Sequence, residues 1–278
     1  MFAEKVVIIT GGSSGLGKAL AQRLLAQKAR LVLLARDPGK LADARQELIA
    51  SGASGAEIDI FPCDVADSRA VEKVFSDVAD KAGPPDVLIN SAGVLREGYF
   101  ECQTADTFRE VMNINFFGTL YCIQAVLPYY KEKGGGKIVN ICSVAGLTGV
   151  FGYTAYCASK HAVRGLTSSL RAELKHQNVS IHIVYPAEFE SPMVDALNEC
   201  RTEENRKVAG TIPILTADAV ADEIISGLLK NRYEITPGVA TRILTGFERV
   251  FPAVGRVVSD LQVRRIYKGP DHKKQQAD

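Results

Sequence analysis

Short apolar runs alternate with longer amphipathic segments along most of the chain. The apolar runs are nearly continuous and rich in valine, isoleucine and leucine, which is typical of parallel strands covered on both faces of a sheet. Amphipathic segments predict helices at 15–27, 40–50, 68–81, 107–131, 154–176 and 217–230. Strands are predicted at Lys5–Thr10, Arg30–Ala35, Glu57–Pro62, Asp86–Asn90, Lys137–Cys142, Val179–Tyr185 and Tyr233–Thr236. Repeated βα units of this kind predict a doubly wound α/β fold, a parallel sheet of about seven strands with helices on both faces.

The segment after residue 237 follows a different pattern. Its apolar positions have 3-4-3-4-3 spacing and basic residues beside them, which predicts a C-terminal helical extension at 238–278 with a disordered polar end at 271–278. Pro252 argues against one straight helix. The apolar face either packs on the core or on a second subunit, or it contacts a membrane surface through 240–268. The apolar positions are Leu244, Phe247, Phe251, Val254, Val258 and Leu261.

Composition excludes several classes of function. The net charge of the 278 residues is +1, so no attraction to nucleic acid is expected. The six cysteines are scattered without a C-x-x-C pair, which indicates reduced thiols and a cytoplasmic location. Four histidines without a ligand cluster predict no metal site. The first strand begins within five residues, which leaves no room for a signal peptide, and no run approaches the length of a transmembrane helix.

A glycine-rich turn follows the first predicted strand. The segment 10–17 has the spacing G-x-x-x-G-x-G and opens a helix. Glycines let the backbone approach a phosphate closely, and the helix N-terminus supplies N–H donors. In a parallel-sheet protein this turn predicts a Rossmann-type dinucleotide site. The residues expected to contact the cofactor are Gly11, Ser13, Ser14, Gly15, Leu16 and Gly17.

The end of the second strand bears on the choice of cofactor. Arg36 ends this strand and Lys40 follows on the next helix, so both could bind a 2′-phosphate, which favours NADP(H). Asp37 comes one residue later. An acidic residue near this point binds the ribose of NAD in many dehydrogenases, but Asp37 could instead cap the following helix.

Polar and small residues also follow the third and fourth strands. Asp64 could accept a hydrogen bond from an adenine amino group or act as a helix cap. Asn90 could tie neighbouring strands together, and the small residues Ala92 and Gly93 would let the backbone run close to a cofactor. A plain turn at the end of a strand is the alternative interpretation of the segment 90–93.

Tyr156 and Lys160 are four residues apart, and Ser143 precedes the tyrosine by thirteen. On a helix, residues i and i+4 share a face. A free phenol has a pKa of about 10, and a nearby cation lowers it toward the range in which proton transfer is useful. The set therefore suits protonation of a carbonyl oxygen or deprotonation of an alcohol. Taken alone, the tyrosine–lysine pair is more often a contact on a solvated helix face.

Together these motifs resemble those of the short-chain dehydrogenase/reductase family. The resemblance covers about the first 190 residues, in the order found in the family. The matching segments are T-G-x-x-x-G-x-G at 10–17, the pair Asp64-Val65, N-x-A-G at 90–93, N-x-x-G at 115–118, Ser143, and Y-x-x-x-K at 156–160.

The resemblance implies a role for each of these residues. Tyr156 would be the proton donor or acceptor, and Ser143 would bind the substrate oxygen. Lys160 would contact the nicotinamide ribose and lower the pKa of the tyrosine. Asn115 would hold a water in the proton relay; Asn113 is close by, but the F-F-G that follows Asn115 matches the family.

The segment after the sixth strand departs from the family pattern. Pro186 fits an approach to the nicotinamide, but Ala187 replaces the usual glycine and Ser191 stands where threonine would contact the carboxamide. This segment, with 149–156 and 161–166, resembles the 3-ketodihydrosphingosine reductases, which reduce a long-chain sphingoid ketone with NADPH. The resemblance therefore implies NADPH-dependent reduction of a hydrophobic ketone.

A substrate lid is expected at 188–213, within a main domain of residues 1–237. Val194, Leu197 and Ile212 are candidate lining residues, although the same pattern would serve a simple lid helix. A dehydrogenase of steroids or other hydrophobic alcohols, a non-catalytic NADP-binding sensor and an interaction module built around the C-terminal segment are the alternatives. By the same resemblance, a homodimer or homotetramer is expected.

Overall fold

The computed structural model describes residues 2–51, 57–209 and 212–267. Residues 210 and 211 of the expected lid and the polar end at 271–278 lie outside the described residues. So do the side chains of Val254 and Val258, two members of the predicted apolar stripe.

The strands form one parallel sheet of seven, in the order β3-β2-β1-β4-β5-β6-β7. This confirms the predicted fold class. The chain passes from β3 on one edge back to β4 beside β1, so the carboxyl ends of β1 and β4 diverge at the centre of the sheet. The strands are β1 Val6–Thr10, β2 Arg30–Ala35, β3 Ile58–Pro62, β4 Val87–Asn90, β5 Gly136–Ile141, β6 Val179–Val184 and β7 Glu234–Ile235.

The helices cover both faces of the sheet and continue past its last strand. A π-helical turn and three short 3₁₀ turns complete the described elements. The α-helices are α1 Gly15–Leu25, α2 Pro38–Ala50, α3 Ser68–Ala82, α4 Ala105–Met112, α5 Gly118–Lys133, α6 Thr154–Glu173, α7 Pro192–Cys200, α8 Glu203–Ala209, α9 Ala217–Leu229, α10 Val239–Val250 and α11 Pro252–Tyr267.

Two hydrophobic cores lie on opposite faces of the sheet because successive strand residues point to opposite sides. In β1, Val7 and Ile9 face the core formed with α1 and α9. Val6 and Ile8 face the core formed with α3 and α5. Every residue of β1 is therefore buried, which explains why its sequence is continuously apolar rather than alternating.

The helix predicted at 107–131 is interrupted, so this prediction was wrong in detail. Its first part, α4, ends at Met112, and a π-helical turn at Asn113–Phe117 leads into α5. The whole stretch 105–133 is long and apolar enough to cross a membrane by length and composition, contrary to the sequence expectation. The buried Ile123, Val126 and Tyr130 pack in the core between α5 and the sheet, which accounts for this apolar character.

The C-terminal extension consists of two helices, with Pro252 at the start of the second, as expected. The second helix, α11, packs against α8. Many large apolar side chains of the extension remain exposed, among them Ile243 at 68% and Phe247 at 46%. The extension therefore does not bury its apolar stripe fully within the described part of the chain.

Candidate active site

The glycine-rich turn lies at the diverging ends of β1 and β4. Gly11 has φ +68°, and a Cβ added there would lie 2.9 Å from the Cα of Ala92. A Cβ at Gly17 would overlap the carbonyl oxygen of Gly11. The side chain of Ser14, which precedes α1, forms no capping hydrogen bond, so the first N–H groups of that helix have no side-chain acceptor. A turn in which glycines let the backbone approach closely, at a helix N-terminus, fits the pyrophosphate of a dinucleotide.

Thr10 fixes the loop after β4, which lies beside the glycine-rich turn. This role was not assigned from the sequence. The buried hydroxyl of Thr10 accepts hydrogen bonds from the backbone N–H groups of Ser91 and Ala92, both at 3.0 Å. The loop after β4 is thereby fixed against the end of β1. The threonine at the start of the glycine motif was the available signal.

Arg36 and Lys40 are exposed at the end of β2 and the start of α2, and neither forms an ion pair within the described residues. Asp37 caps α2, since its Oδ1 accepts from the N–H groups of Gly39 at 2.8 Å and Lys40 at 3.1 Å. Of its two interpretations, the structure supports the helix cap. The two cations remain available to an anion.

Asp64 lies in a turn rather than at a helix cap. Its Oδ1 accepts from the N–H of Ala66 at 2.9 Å, whereas the cap of α3 is Asp67. Val65 is buried against Gly118, where an added Cβ would lie 2.7 Å from a methyl group of the valine. This contact fixes the end of β3 against the start of α5.

Asn90 ties strands together, as one interpretation of its motif predicted. Its Nδ2 donates to Oδ1 of Asn140 on β5 at 2.8 Å, and Asn140 donates to the hydroxyl of Thr167 on α6 at 2.9 Å. All three side chains are buried. This polar chain links β4, β5 and the helix that carries Tyr156.

The π-helical turn presents Asn115 to the loop after β4. Its Oδ1 accepts from the N–H of Val94 at 2.8 Å, and its Nδ2 donates to the carbonyl of Val94 and the hydroxyl of Ser159, both at 2.9 Å. The Asn115 side chain therefore holds backbone and helix together. A π-helical turn of this kind is frequent at functional sites, and it is the reason the predicted long helix is interrupted.

Tyr156 and Lys160 share one face of α6, and Ser143 lies opposite them after β5. The Nζ of Lys160 is 5.5 Å from the centre of the Tyr156 ring and donates to the carbonyl of Ile141 at 3.0 Å. The hydroxyl of Ser143 lies 3.4 Å from the carbonyl oxygen of Pro186 and accepts from the N–H of Ala145 at 3.2 Å. The three side chains line one cavity.

Burial is the largest influence on the pKa values of Tyr156 and Lys160. It raises the pKa of Tyr156 well above its ordinary value, and a hydrogen bond with Ser143 acts in the opposite direction. Burial lowers the pKa of the Lys160 ammonium. The phenol of Tyr156 is therefore protonated at neutral pH, as a phenol with its ordinary pKa also is, and the lowering of its pKa expected from the lysine does not prevail over burial.

Pro186 and Ser191 lie between the end of β6 and the start of α7, where the expected lid begins. The carbonyl of Pro186 accepts from the N–H of Val144 at 3.0 Å. The hydroxyl of Ser191 caps α7, and its Cβ lies 3.6 Å from the position of a Cβ added at Gly15. Ser191 is therefore adjacent to the glycine-rich turn.

Glu188 and Arg201 form a buried ion pair that joins the segments before and after α7, within the expected lid. The side chain of Arg201 is only 5% exposed, and its Nη1 donates to Oε1 of Glu188 at 3.0 Å. Its Nη2 also pairs with the glutamate and donates to the hydroxyl of Tyr153 at 3.0 Å, while Nε donates to Asn205 at 2.7 Å. Tyr153 in turn packs edge-on against Tyr156, with ring centres 5.8 Å apart.

The cavity that contains these groups has a volume of about 820 Å³. Its floor is formed by the glycine-rich turn and the strand ends, and most of its remaining wall is apolar. Val194, Leu197 and Ile212, the predicted lining residues, lie in this wall, and α10 contributes a further part that sequence reasoning missed. The residues of α10 that line the cavity are Ala240, Ile243, Leu244, Thr245, Phe247 and Glu248.

Not all predicted site residues reach the cavity. Its lining includes Gly11, Ser14, Gly15, Leu16, Gly17, Ala92, Gly93, Ser143, Tyr156, Lys160, Pro186 and Ser191. Outside it lie Ser13, Arg36, Lys40, Asp64, Val65, Asn90 and Asn115. Asn90 and Asn115 support the neighbouring backbone, whereas Arg36 and Lys40 lie at the end of the adjacent strand.

Comparison with known proteins identifies the family. Residues 5–202 match the sequence profile described as short chain dehydrogenase. The chain belongs to the short-chain dehydrogenase family. As a short-chain dehydrogenase, it is an oxidoreductase acting on alcohol or ketone groups.

Among characterised relatives, this short-chain dehydrogenase is 33% identical to the 3-ketodihydrosphingosine reductase of Bos taurus over 258 residues, which are 92% of this chain and 78% of the relative. A short-chain dehydrogenase from Burkholderia phymatum in complex with NAD has a TM-score of 0.80 and 26% identity, covering 91% of this chain and 96% of that one. A short-chain dehydrogenase from Sphingobium yanoikuyae in complex with NADPH has a TM-score of 0.75 and 26% identity, covering 92% and 96%. Both nicotinamide cofactors therefore occur in proteins of this fold.

Proposed function

We propose that this short-chain dehydrogenase reduces the ketone of a long-chain substrate with NADPH, and that the substrate is 3-ketodihydrosphingosine. The observation that carries the proposal is the cavity, in which Tyr156 and Ser143 face an apolar wall beside the glycine-rich turn. The relative from Bos taurus bears the name of this activity. An acyl chain would be bound by the apolar wall while the carbonyl group reaches the polar end.

NADPH, when bound, would supply the hydride for the carbonyl carbon. Tyr156 would deliver a proton to the carbonyl oxygen, and Ser143 would donate a hydrogen bond that stabilises the charge developing there. Tyr156 is protonated at neutral pH, as a group must be before it can act as the acid. Burial raises its pKa and makes it a weaker proton donor, an effect that the Lys160 ammonium would offset.

Lys160 and Asn115 would support the proton transfer. The ammonium of Lys160 would contact the ribose of the cofactor and assist the tyrosine once the site is filled. Asn115 would hold a water molecule through its backbone while its side chain keeps the Val94 loop in position. Both roles are carried over from the family to these residues.

Arg36 and Lys40 would select NADPH over NADH. Both are exposed, and neither has an ion-pair partner within the described residues. Asp37, the acidic residue that would favour NAD, is occupied as a helix cap. Asp64 and Val65 would lie near the adenine, and Pro186 and Ser191 near the nicotinamide.

Residues 188–213 would act as the lid, and the extension at 238–278 would form the membrane-facing part of the protein. Ile243 and Phe247 are exposed next to the cavity, which suits a substrate taken from a lipid surface. Phe247→Ser is expected to reduce co-sedimentation with phosphatidylserine vesicles. A homodimer or homotetramer remains our expectation from the family, and sedimentation analysis would measure it.

Replacement of Tyr156 by phenylalanine tests the mechanism. Tyr156→Phe removes the proton donor without changing the ring, so turnover should fall by at least about 100-fold while NADPH binding persists. Tyr129→Phe, on α5 and outside the cavity, is the matched control. Undiminished turnover in Tyr156→Phe would contradict the mechanism. Wild-type protein that binds NADPH but reduces no ketone would favour a sensor.

Substrate comparison tests the identity of the ketone. We expect a higher kcat/KM for 3-ketodihydrosphingosine than for steroid ketones, measured as NADPH oxidation in the same detergent. A preference for the steroid would instead assign the apolar wall to a compact ring system. The same assay repeated with NADH measures the cofactor preference.

A further inference from the structure

The cavity contains one charged side chain that neither the fold nor the proposed proton transfer explains. Among the described residues that line it, three are charged: Lys160, Glu188 and Glu248. Lys160 donates to the carbonyl of Ile141 and belongs to the catalytic group. Both carboxylate oxygens of Glu188 accept hydrogen bonds from Arg201. Glu248 forms no hydrogen bond or ion pair within the described part of the chain.

The position of Glu248 in α10 makes its charge unusual. Residues four apart in a helix share a face, and Glu248 continues the stripe formed by Ala240 and Leu244. All three residues line the cavity, as do Ile243 and Phe247. Glu248 is half-buried. Glu248 therefore lies beside apolar side chains of the cavity wall and has no partner within the described part of the chain, so a cationic ligand that enters the cavity would supply one.

The proposed substrate carries the complementary group. A sphingoid ketone has an amine on the carbon next to the carbonyl, and aliphatic amines are largely protonated near neutral pH. An ammonium group that enters an apolar cavity loses hydration, so it requires an acceptor there. Since Glu188 is neutralised by Arg201, Glu248 is the available carboxylate among the described lining residues.

We propose that Glu248 binds the ammonium group of an amino-ketone substrate and thereby makes the cavity select ketones that carry an amine; this inference rests on the proposed function. Binding pairs a cation with a carboxylate that has no other partner within the described residues. The apolar residues around Glu248 would bind the first part of the acyl chain and leave the carbonyl group to Tyr156 and Ser143. The helix that carries Glu248 thus acts as a determinant of specificity.

Two substrates separate this role from a structural one. 3-Ketodihydrosphingosine is compared with a 1-hydroxy-3-ketone of the same chain length that lacks the amine. Glu248→Gln should lower kcat/KM for the amino ketone by about 10- to 100-fold, the range expected for loss of a hydrogen bond between charged groups. It should change kcat/KM for the ketone without the amine by less than about threefold. Glu132→Gln, an exposed carboxylate on α5, is the control and should affect neither.

Glu248→Asp keeps the charge but shortens the side chain, so it should have an intermediate effect on the amino ketone alone. An equal loss on both substrates, in Glu248→Gln or in Glu248→Asp if the first variant does not fold, would overturn the proposal. So would an unchanged preference for the amine in Glu248→Gln. These results differ from failure of the proposed function, in which the wild-type protein would reduce neither ketone.

Discussion

The cavity has two sides that are stabilised by different kinds of contact. The glycine side, formed by residues 10–17 and 90–94, is fixed by hydrogen bonds between its backbone N–H groups and single side chains. The hydroxyl of Thr10 holds two backbone N–H groups and Asn115 holds another. The lid side, formed by 188–209 and α10, is fixed mainly by side chains. Arg201 joins Glu188, Tyr153 and Asn205, and several large apolar residues remain exposed.

This difference matches what each side would bind. A cofactor presents the same phosphates at every turnover, and a backbone surface without side chains fits them at a fixed distance. A long acyl chain is flexible, and a wall of packed side chains can adjust to it at little cost. Tyr156 and Ser143 line the same cavity as both sides. The comparison predicts that changes on the glycine side affect cofactor binding, whereas changes on the lid side affect the substrate.

The largest effect is expected at the glycine side. Gly17→Ala would force a methyl group onto the carbonyl oxygen of Gly11, so NADPH affinity should fall by at least about 100-fold. Fluorescence titration of NADPH measures the loss. Gly165→Ala, on α6 with open space around its Cα, is the control and should retain wild-type affinity. Normal NADPH binding by Gly17→Ala would show that the turn can widen, and the backbone explanation would then fail.

On the lid side, Arg201→Ala breaks a buried ion pair and leaves the Glu188 carboxylate without its partner. The free energy of unfolding should fall by about 3 kcal/mol, the usual cost of breaking such a pair. KM for the ketone should rise while the Kd for NADPH changes less than about twofold. Arg201→Lys restores the charge but not the forked geometry, so we expect partial recovery. An equal loss of NADPH binding would contradict the separation of the two sides.

A buried histidine in the sheet should make the protein sensitive to acid. His182 is buried on β6, with its Nδ1 2.6 Å from the carbonyl oxygen of Arg232, and burial lowers its pKa to about 4. Unfolded chains bind the proton near pH 6.5, so stability should be lost as the pH falls from about 6.5 toward 4, by up to about 3 kcal/mol. Denaturant unfolding at several pH values measures this slope. It should be smaller in His182→Asn and unchanged in His176→Asn, an exposed histidine.

The smallest effect is expected at the outer end of the glycine side, where Arg36 is exposed. Arg36→Ala should raise the Kd for NADPH by about 10-fold and leave that for NADH unchanged, because only NADPH carries the 2′-phosphate. Arg45→Ala removes an exposed arginine of α2 and is the matched control. An equal loss of affinity for NADPH and NADH would show that Arg36 does not bind the 2′-phosphate.

Prediction from the sequence was most successful where a residue type occurs at a position for a single physical reason. The apolar strands predicted the parallel sheet because residues buried on both faces must all be apolar. The glycines at 11 and 17 predicted close backbone contacts, which the structure shows. Asp37 was left between two interpretations, and its hydrogen bonds to the start of α2 identify it as a cap.

It was least successful where the contact joins residues that are distant in sequence or have no periodic pattern. The pair Glu188–Arg201 links the segment after β6 to the end of α7. The spacing of these two residues in the sequence does not predict that they form an ion pair. Interruption of the helix at Asn113–Phe117 follows from the tertiary contacts of Asn115 rather than from helix propensity. Glu248 was overlooked because the apolar residues around it dominated the helical pattern.

The hydroxyl of Thr10 has a consequence for the thermodynamics of binding. Because it holds the N–H groups of Ser91 and Ala92 through contacts within the protein, the loop after β4 loses its conformational entropy when the protein folds. Binding of a dinucleotide then does not have to order this loop, and affinity is not reduced by that cost. The entropic cost of ordering this loop is therefore incurred once, when the protein folds, and not again each time a dinucleotide binds.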